Sequence, residues 1–285
     1  MMRQQFLKTS SALLFSIVLS SCVNLKSVSH FSSTASSGLK KFEDINYSFT
    51  EHCIENCRLE AVRGFDIKRE LQCNCDGYKK ADRVTLLIYH SIKGYFDGLT
   101  DLSGNELTSY NLNRLKTALT EGTFGDITIA KEQADAYATI SKILLNATTD
   151  IYRKNKIKKY IREANGPIRV LLDKFQFILQ KNLEGELSFK KEKWYAYYQE
   201  MKMNGGLTEY EKSKAAMDYY QLLSEVNEMQ DQINVFAAGL KKISEGHQKL
   251  YDNRNKMTAK DLREILATYA GNIEEMISGF NTLQN

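Results

Sequence analysis

The chain has 285 residues, of which 42% are hydrophobic and 26% charged, with a single proline. That length allows one or two domains with a sizeable core, and the hydrophobic content excludes a disordered chain. The 39 basic and 35 acidic residues leave a formal charge of +4, well short of the basic bias expected of a nucleic-acid binder that works by neutralising phosphates.

The N-terminus carries the most specific signal. Arg3 and Lys8 give a positive start, Ala12–Leu19 is a largely apolar stretch of eight residues, and Leu19-Ser20-Ser21-Cys22 sets two small residues before a cysteine. Eight residues are too few to cross a bilayer but suit the h-region of a secretory signal. The motif resembles the lipobox of bacterial lipoproteins, a resemblance confined to residues 1–22. It implies cleavage of residues 1–21, a diacylglycerol thioether on Cys22 and a further acyl chain on the new amino group. The membrane is then a partner through acyl chains, at about 0.8 kcal/mol per buried methylene. Val23 in place of aspartate after the cysteine implies the outer membrane over the inner one in a Gram-negative envelope. Without the signal, 37 basic residues face 35 acidic ones.

Residues 22–38 read as a lipidated tether. The segment 23–38 holds six serines in sixteen residues and, as a flexible coil, would span roughly 20–25 Å. His30 is expected to be solvated there.

Residues 39–125 form a cysteine-containing, mainly helical module. A helix is expected from Leu39, with Phe42, Ile45, Phe49, Cys53 and Cys57 at spacings of three and four. Cys53, Cys57, Cys73 and Cys75 are even in number, and export places them in an oxidising compartment, so two disulfides are expected. Cys53 and Cys57 share a helix face, whereas Cys73 and Cys75 share a face of an extended segment. Two bridges clipping that segment to the helix fit best: Cys53–Cys75 with Cys57–Cys73 for an antiparallel approach, the swapped pairs for a parallel one. A four-thiolate zinc site helped by His52 is disfavoured because the C-x3-C…C-x-C spacing lacks the usual knuckles. A second helix is expected over 79–99, a short one around 112–119, and weak strands near 61–67.

Residues 126–285 read as a long-helix bundle. Tyr219, Leu222, Val226, Met229, Ile233, Phe236, Leu240, Ile243, His247 and Leu250 alternate by three and four, a seven-residue repeat that calls for coiled-coil-like packing. Leu262 to Leu283 repeat the pattern, and shorter stripes run from Tyr137 and from Ile168. Asn165-Gly166-Pro167 is expected to divide two helices, and Gly185 to break another. Thr208 with Glu211 resembles a capping box, and Thr258 with Asp261 a weaker cap. The expected fold class is all-α: a disulfide-clipped N-terminal module followed by an elongated antiparallel bundle.

No catalytic motif emerges, so a non-enzyme is favoured and no cofactor or metal is expected. His247, alone in its apolar stripe, reads as a hydrogen-bonded core residue, and His90 is similarly isolated. Two surfaces suggest contacts. Arg153, Lys154, Lys156, Lys158, Lys159 and Arg162 form a basic run, either a solvated helix C-terminus or an anionic contact. Trp194, Tyr195, Tyr197 and Tyr198 divide between core, for Trp194 and Tyr198, and a partner surface. The expectation is a lipid-anchored envelope lipoprotein, periplasmic or surface-facing, that binds or scaffolds an envelope protein. The alternative is an envelope enzyme or metal-binding protein with its site between module and bundle.

Overall fold

The computed structural model describes residues 25–104, 117–147 and 156–284. Cys22, Arg153, Lys154 and most of the helix expected at 112–119 lie outside them.

Contrary to the expected tether, α1 (Lys26–Lys40) is a helix whose inner face is fully buried. Val28, Phe31, Ala35 and Leu39 recur at helical spacing and all lie in the core. The serines that suggested a flexible coil are what let the helix pack closely. Ser32 Oγ donates back to Val28 O at 2.8 Å, Thr100 Oγ1 donates to Ser32 Oγ at 2.8 Å, and Ser36 binds Asp97. Satisfied in this way, small hydroxyls cost little to bury.

The helix expected from Leu39 begins a full ten residues later. The chain runs through a 3-10 turn at Lys41–Asp44, then Ser48 caps α2 (Phe49–Arg63) by accepting from Glu51 N. The strands expected near 61–67 are instead the end of α2 and the start of a 3-10 turn at Ile67–Gln72. Cys53 pairs with Cys75 and Cys57 with Cys73, the connectivity of an antiparallel approach. Next comes α3 (Asp76–Ser103). The strands in the structure lie elsewhere: β1 (Gly122–Phe124) and β2 (Ile127–Ile129) form a hairpin turning at Gly125-Asp126. Gly125 has φ +58°, a backbone that glycine adopts without a Cβ clash.

In the second half, α4 (Lys131–Ala147) is followed by α5 (Ile157–Phe177), a π-helical turn (Ile178–Leu183) and α6 (Glu184–Met203). Pro167 lies inside α5, so the boundary expected at Asn165-Gly166-Pro167 is absent, and the chain stays helical through Gly185. Thr208 and Glu211 form the expected capping box on α7 (Glu209–Asp252). Helix α8 (Lys260–Thr282) starts from Ala259 without a side-chain cap, not from Thr258.

One continuous core runs from Leu25 to Phe280, crossing the boundary expected at 125/126. Helix α1 lies antiparallel to α3 and α7 and parallel to α8. Phe31 meets Phe96 edge-on and approaches Gly246, while Lys41 sits over Phe280. Helix α5 runs antiparallel to α7, with Asn165 at Gln248 and Phe175 at Phe236. The starts of α1, α5 and α8 and the ends of α3 and α7 therefore gather at one end of the bundle. At 44 residues, α7 is about 66 Å long, and only its residues from Leu222 onward are buried.

Gly246 marks the tightest approach: a Cβ there would meet Phe31 Cε2 at 2.5 Å and Tyr269 Cβ at 3.1 Å. Gly246→Ala is expected to cost about 1–3 kcal/mol through overpacking. A methyl at Gly271 meets nothing within 4 Å, so Gly271→Ala should gain about 0.5–1 kcal/mol. Urea melts of the two variants check the pair, and identical behaviour would argue against the close approach. Peptide mapping without reductant should recover Cys53 linked to Cys75 and Cys57 to Cys73; recovery of swapped pairs would overturn this connectivity.

Candidate functional site

Beyond residue 190, α6 contributes no buried residue, and neither does α7 before Leu222. These stretches form a two-helix arm that extends past the bundle, joined by a turn through Gly205-Gly206. Helix α2 braces its flank through Lys190–Glu55 at 2.7 Å, Lys193–Glu60 at 3.0 Å and Arg63 Nε–Glu200 at 3.1 Å.

The arm carries an aromatic groove of about 260 Å³ whose walls include Trp194, Tyr197, Tyr198, Met201, Tyr210 and Tyr219. Tyr198 and Tyr219 stack with centroids 5.8 Å apart, and Trp194 meets Tyr197 edge-on at 6.0 Å. The charged groups at its rim are engaged within α7: Lys214 with Asp218, and Glu211 with Thr208. The groove therefore presents ring faces, a surface suited to apolar or aromatic groups. Trp194, expected in the core, is half-buried, packs against it and walls the groove; Tyr198, also expected there, is a half-buried groove wall, and Tyr195 is exposed with its ring against Tyr198 and Tyr219.

The apolar surface continues around the tip. Met203, Tyr210, Met217 and Tyr220 are at least 68% exposed. Phe65, at the end of α2 beside Glu200's partner Arg63, is 94% exposed. Its φ is +50°, the one non-glycine with positive φ among the described residues. A left-handed residue closing a helix is most often glycine; a bulky side chain there costs roughly 1–2 kcal/mol.

A second cluster ties the N-terminal module to the hairpin and α6. His52 Nε2 contacts Glu186 Oε2 at 2.8 Å and His52 Nδ1 meets the Tyr47 hydroxyl at 3.0 Å, all three residues being buried. Burial keeps the Tyr47 hydroxyl protonated, pushing its pKa up, with Glu55 and Glu186 reinforcing the effect. Asp126, on the hairpin turn, pairs with Glu186. That hydrogen bond raises the Asp126 pKa, aided by burial and the Glu186 charge. Burial alone would raise Glu186, but hydrogen bonds from His52 and Asp126 outweigh it and lower it. With Asp126 ionised, the buried Glu186 Oε1 has no donor among the described residues. A proton on Asp126 supplies one. The sequence points to His52 as a zinc helper or as part of a polar site with His90 and carboxylates; Asp126 and Glu186 lie 74 and 134 positions away, a separation no local spacing reveals.

No family model, curated protein or solved structure matches the chain.

The remaining predicted residues are dispersed. His247 is fully buried with Nε2 2.7 Å from the Tyr95 hydroxyl, and burial with nearby Arg169 pushes its pKa down to about 3. That is the hydrogen-bonded core histidine expected. His90 takes no part in the His52 cluster, lining instead a shallow depression with Lys79, Asp82 and Arg83. No group of side chains that could hold a metal occurs among the described residues. Lys156, Lys158, Lys159 and Arg162 sit at the beginning of α5, not at the helix C-terminus expected of them.

The Asp126–Glu186 pair has a definite pH signature. A raised folded-state pKa contributes stability that is complete at low pH and lost as pH rises through that pKa. Asp126→Asn keeps a donor without the charge. Its thermal midpoint should match the parent below about pH 4 and exceed it at neutral pH. A lower midpoint at neutral pH would contradict the shared-proton assignment.

Proposed function

We propose that the chain is a lipid-anchored envelope lipoprotein that presents its aromatic arm to a protein partner, acting as a spacer and scaffold. The lipobox-like Cys22 is the membrane anchor, with the outer membrane favoured. The observation that carries the binding role is the aromatic groove on an arm whose apolar surface the fold leaves uncovered. Aromatic and methionine side chains are enriched in such interfaces, and Phe65 occupies a position where glycine would be more stable. No described helix is long and apolar enough to cross a membrane.

The second reading, an envelope enzyme or metal protein with its site between module and bundle, draws on the His52–Glu186–Asp126 cluster. The space beside His52 is only about 10 Å³, at the limit of what one water requires. That favours a structural tie over a substrate site.

A photo-crosslinker placed at Met217 in the native envelope, with Cys22 intact, should give a discrete protein adduct. Trp194→Ala with Tyr198→Ala should abolish the adduct without altering helix content. Phe65→Gly should raise the thermal midpoint, since it relieves roughly 1 kcal/mol of backbone cost, while lowering the adduct yield. An adduct indifferent to all three substitutions would reject the arm as the binding surface. Cys22→Ala should release the protein from the membrane fraction in high-salt buffer, whereas the parent stays bound.

A further inference from the structure

The end of the bundle opposite the arm combines a short chain with an unbalanced charge. Leu25 is buried, and only three peptide steps separate it from Cys22. Fully extended, those steps span no more than about 11 Å. An acyl chain on Cys22 therefore has to draw this end of the bundle, and not the arm, against the membrane.

Two segments meet at that end. Residues 156–162 hold Lys156, Lys158, Lys159 and Arg162, and residues 253–260 hold Arg254, Lys256 and Lys260; neither segment contains a carboxylate. Their proximity follows from the antiparallel packing of α5 on α7. Asn165 reaches Gln248 at 3.3 Å, and Tyr160 stacks on Tyr95, whose hydroxyl meets His247. Lys158, Lys159, Arg162, Lys256 and Lys260 are all exposed. Among the described residues the acidic neighbours at this end are fewer: Glu163 lies 3.9 Å from both Lys159 and Arg162, Glu264 lies 3.6 Å from Lys260, Asp252 and Asp261 flank the second segment, and Asp101 lies near the end of α3. Cations in the first turns of α5 oppose the helix dipole, so helix stability does not account for them.

We infer that this basic end docks on an anionic phospholipid headgroup surface, holding the bundle upright with the aromatic arm directed away from the membrane. The inference rests on the lipoprotein reading for the anchor and adds a second, electrostatic attachment. The length of chain after Cys22 is comparable to the screening length of roughly 8 Å at physiological salt, so the cations lie where a charged leaflet attracts them. The acyl chains supply the anchoring, and the basic patch adds attraction that turns this end of the bundle toward an anionic leaflet.

The test separates the two attachments. Full-length Cys22→Ser protein, which lacks the acyl chains, is sedimented with vesicles of phosphatidylcholine alone or of an equal phosphatidylcholine–phosphatidylglycerol mixture. It should bind only the anionic vesicles, and less as salt rises. Lys158→Glu, Lys159→Glu, Arg162→Glu and Lys256→Glu together should weaken that binding tenfold or more while leaving the thermal midpoint unchanged or higher. Equal binding to both vesicles, or indifference to the charge reversal, would overturn the docking. Binding carried instead by an acidic protein would show as no vesicle association. Membrane partitioning of the wild-type chain that depends on Cys22 reports the anchor separately, so either attachment can fail while the other stands.

Discussion

The architecture depends on one helix being longer than the bundle that grips it. The C-terminal half of α7 is gripped through close approaches, Gly246 against Phe31 and Gly239 against Met276, where a Cβ would force the neighbouring side chain to shift. Fixing that half fixes the direction of the other, because an uninterrupted helix cannot bend freely without a proline, glycine pair or inserted group. Burial along α7 ends at Leu222. Beyond it, α7 runs beside α6, which α2 braces. The separation between the basic end and the aromatic groove is therefore a property of the backbone and not of loop conformations.

Most of the long helices were legible in the sequence because their apolar stripes bury one face each. Leu222 to Leu250 and Leu262 to Phe280 lie in the core as the seven-residue repeat requires. Composition misled at α1, where six serines suggested a coil. The Val28, Phe31, Ala35 and Leu39 stripe carried the helical signal, but it was outweighed by residues whose cost disappears once their hydroxyls bond backwards or across. Local punctuation misled at Pro167, which stays helical within α5. Of the candidate site, the aromatic residues of α6 were visible, whereas the groove needed Tyr210 and Tyr219 from α7 and the register of the two helices. The His52 cluster could not be read at all, since its members come from three separate segments.

That cluster has a physical rationale in specificity. The N-terminal module packs on α6 through four polar pairs, acidic on α6 at both ends and basic between: Glu186 with His52, Lys190 with Glu55, Lys193 with Glu60 and Glu200 with Arg63. A slide of α2 along α6 by one turn would mismatch them, and the buried members would lose their partners at a cost exceeding any surface pair. Two disulfides hold the other side of α2 to Cys73 and Cys75. The module is thus pinned in register on one flank by charge and on the other by covalent bonds. Pinning of this kind is what sets Phe65 beside the arm's tip.

The features that conflict with stability fall at the two ends of the molecule. Phe65 sits in a left-handed backbone suited to glycine, and the arm leaves Met203, Tyr210, Met217 and Tyr220 in water. At the other end, a row of cations begins α5, where the helix dipole favours anions. Between them, the bundle follows local preference more closely: most of its buried hydroxyls are bonded and its closest helix approaches fall at glycines. Departures from local preference without a compensating contact within the chain are expected where a surface is kept for something else. With 39 basic residues against 35 acidic ones, overall composition hides this division, and only the packing along α7 reveals that the basic end and the aromatic end point in opposite directions.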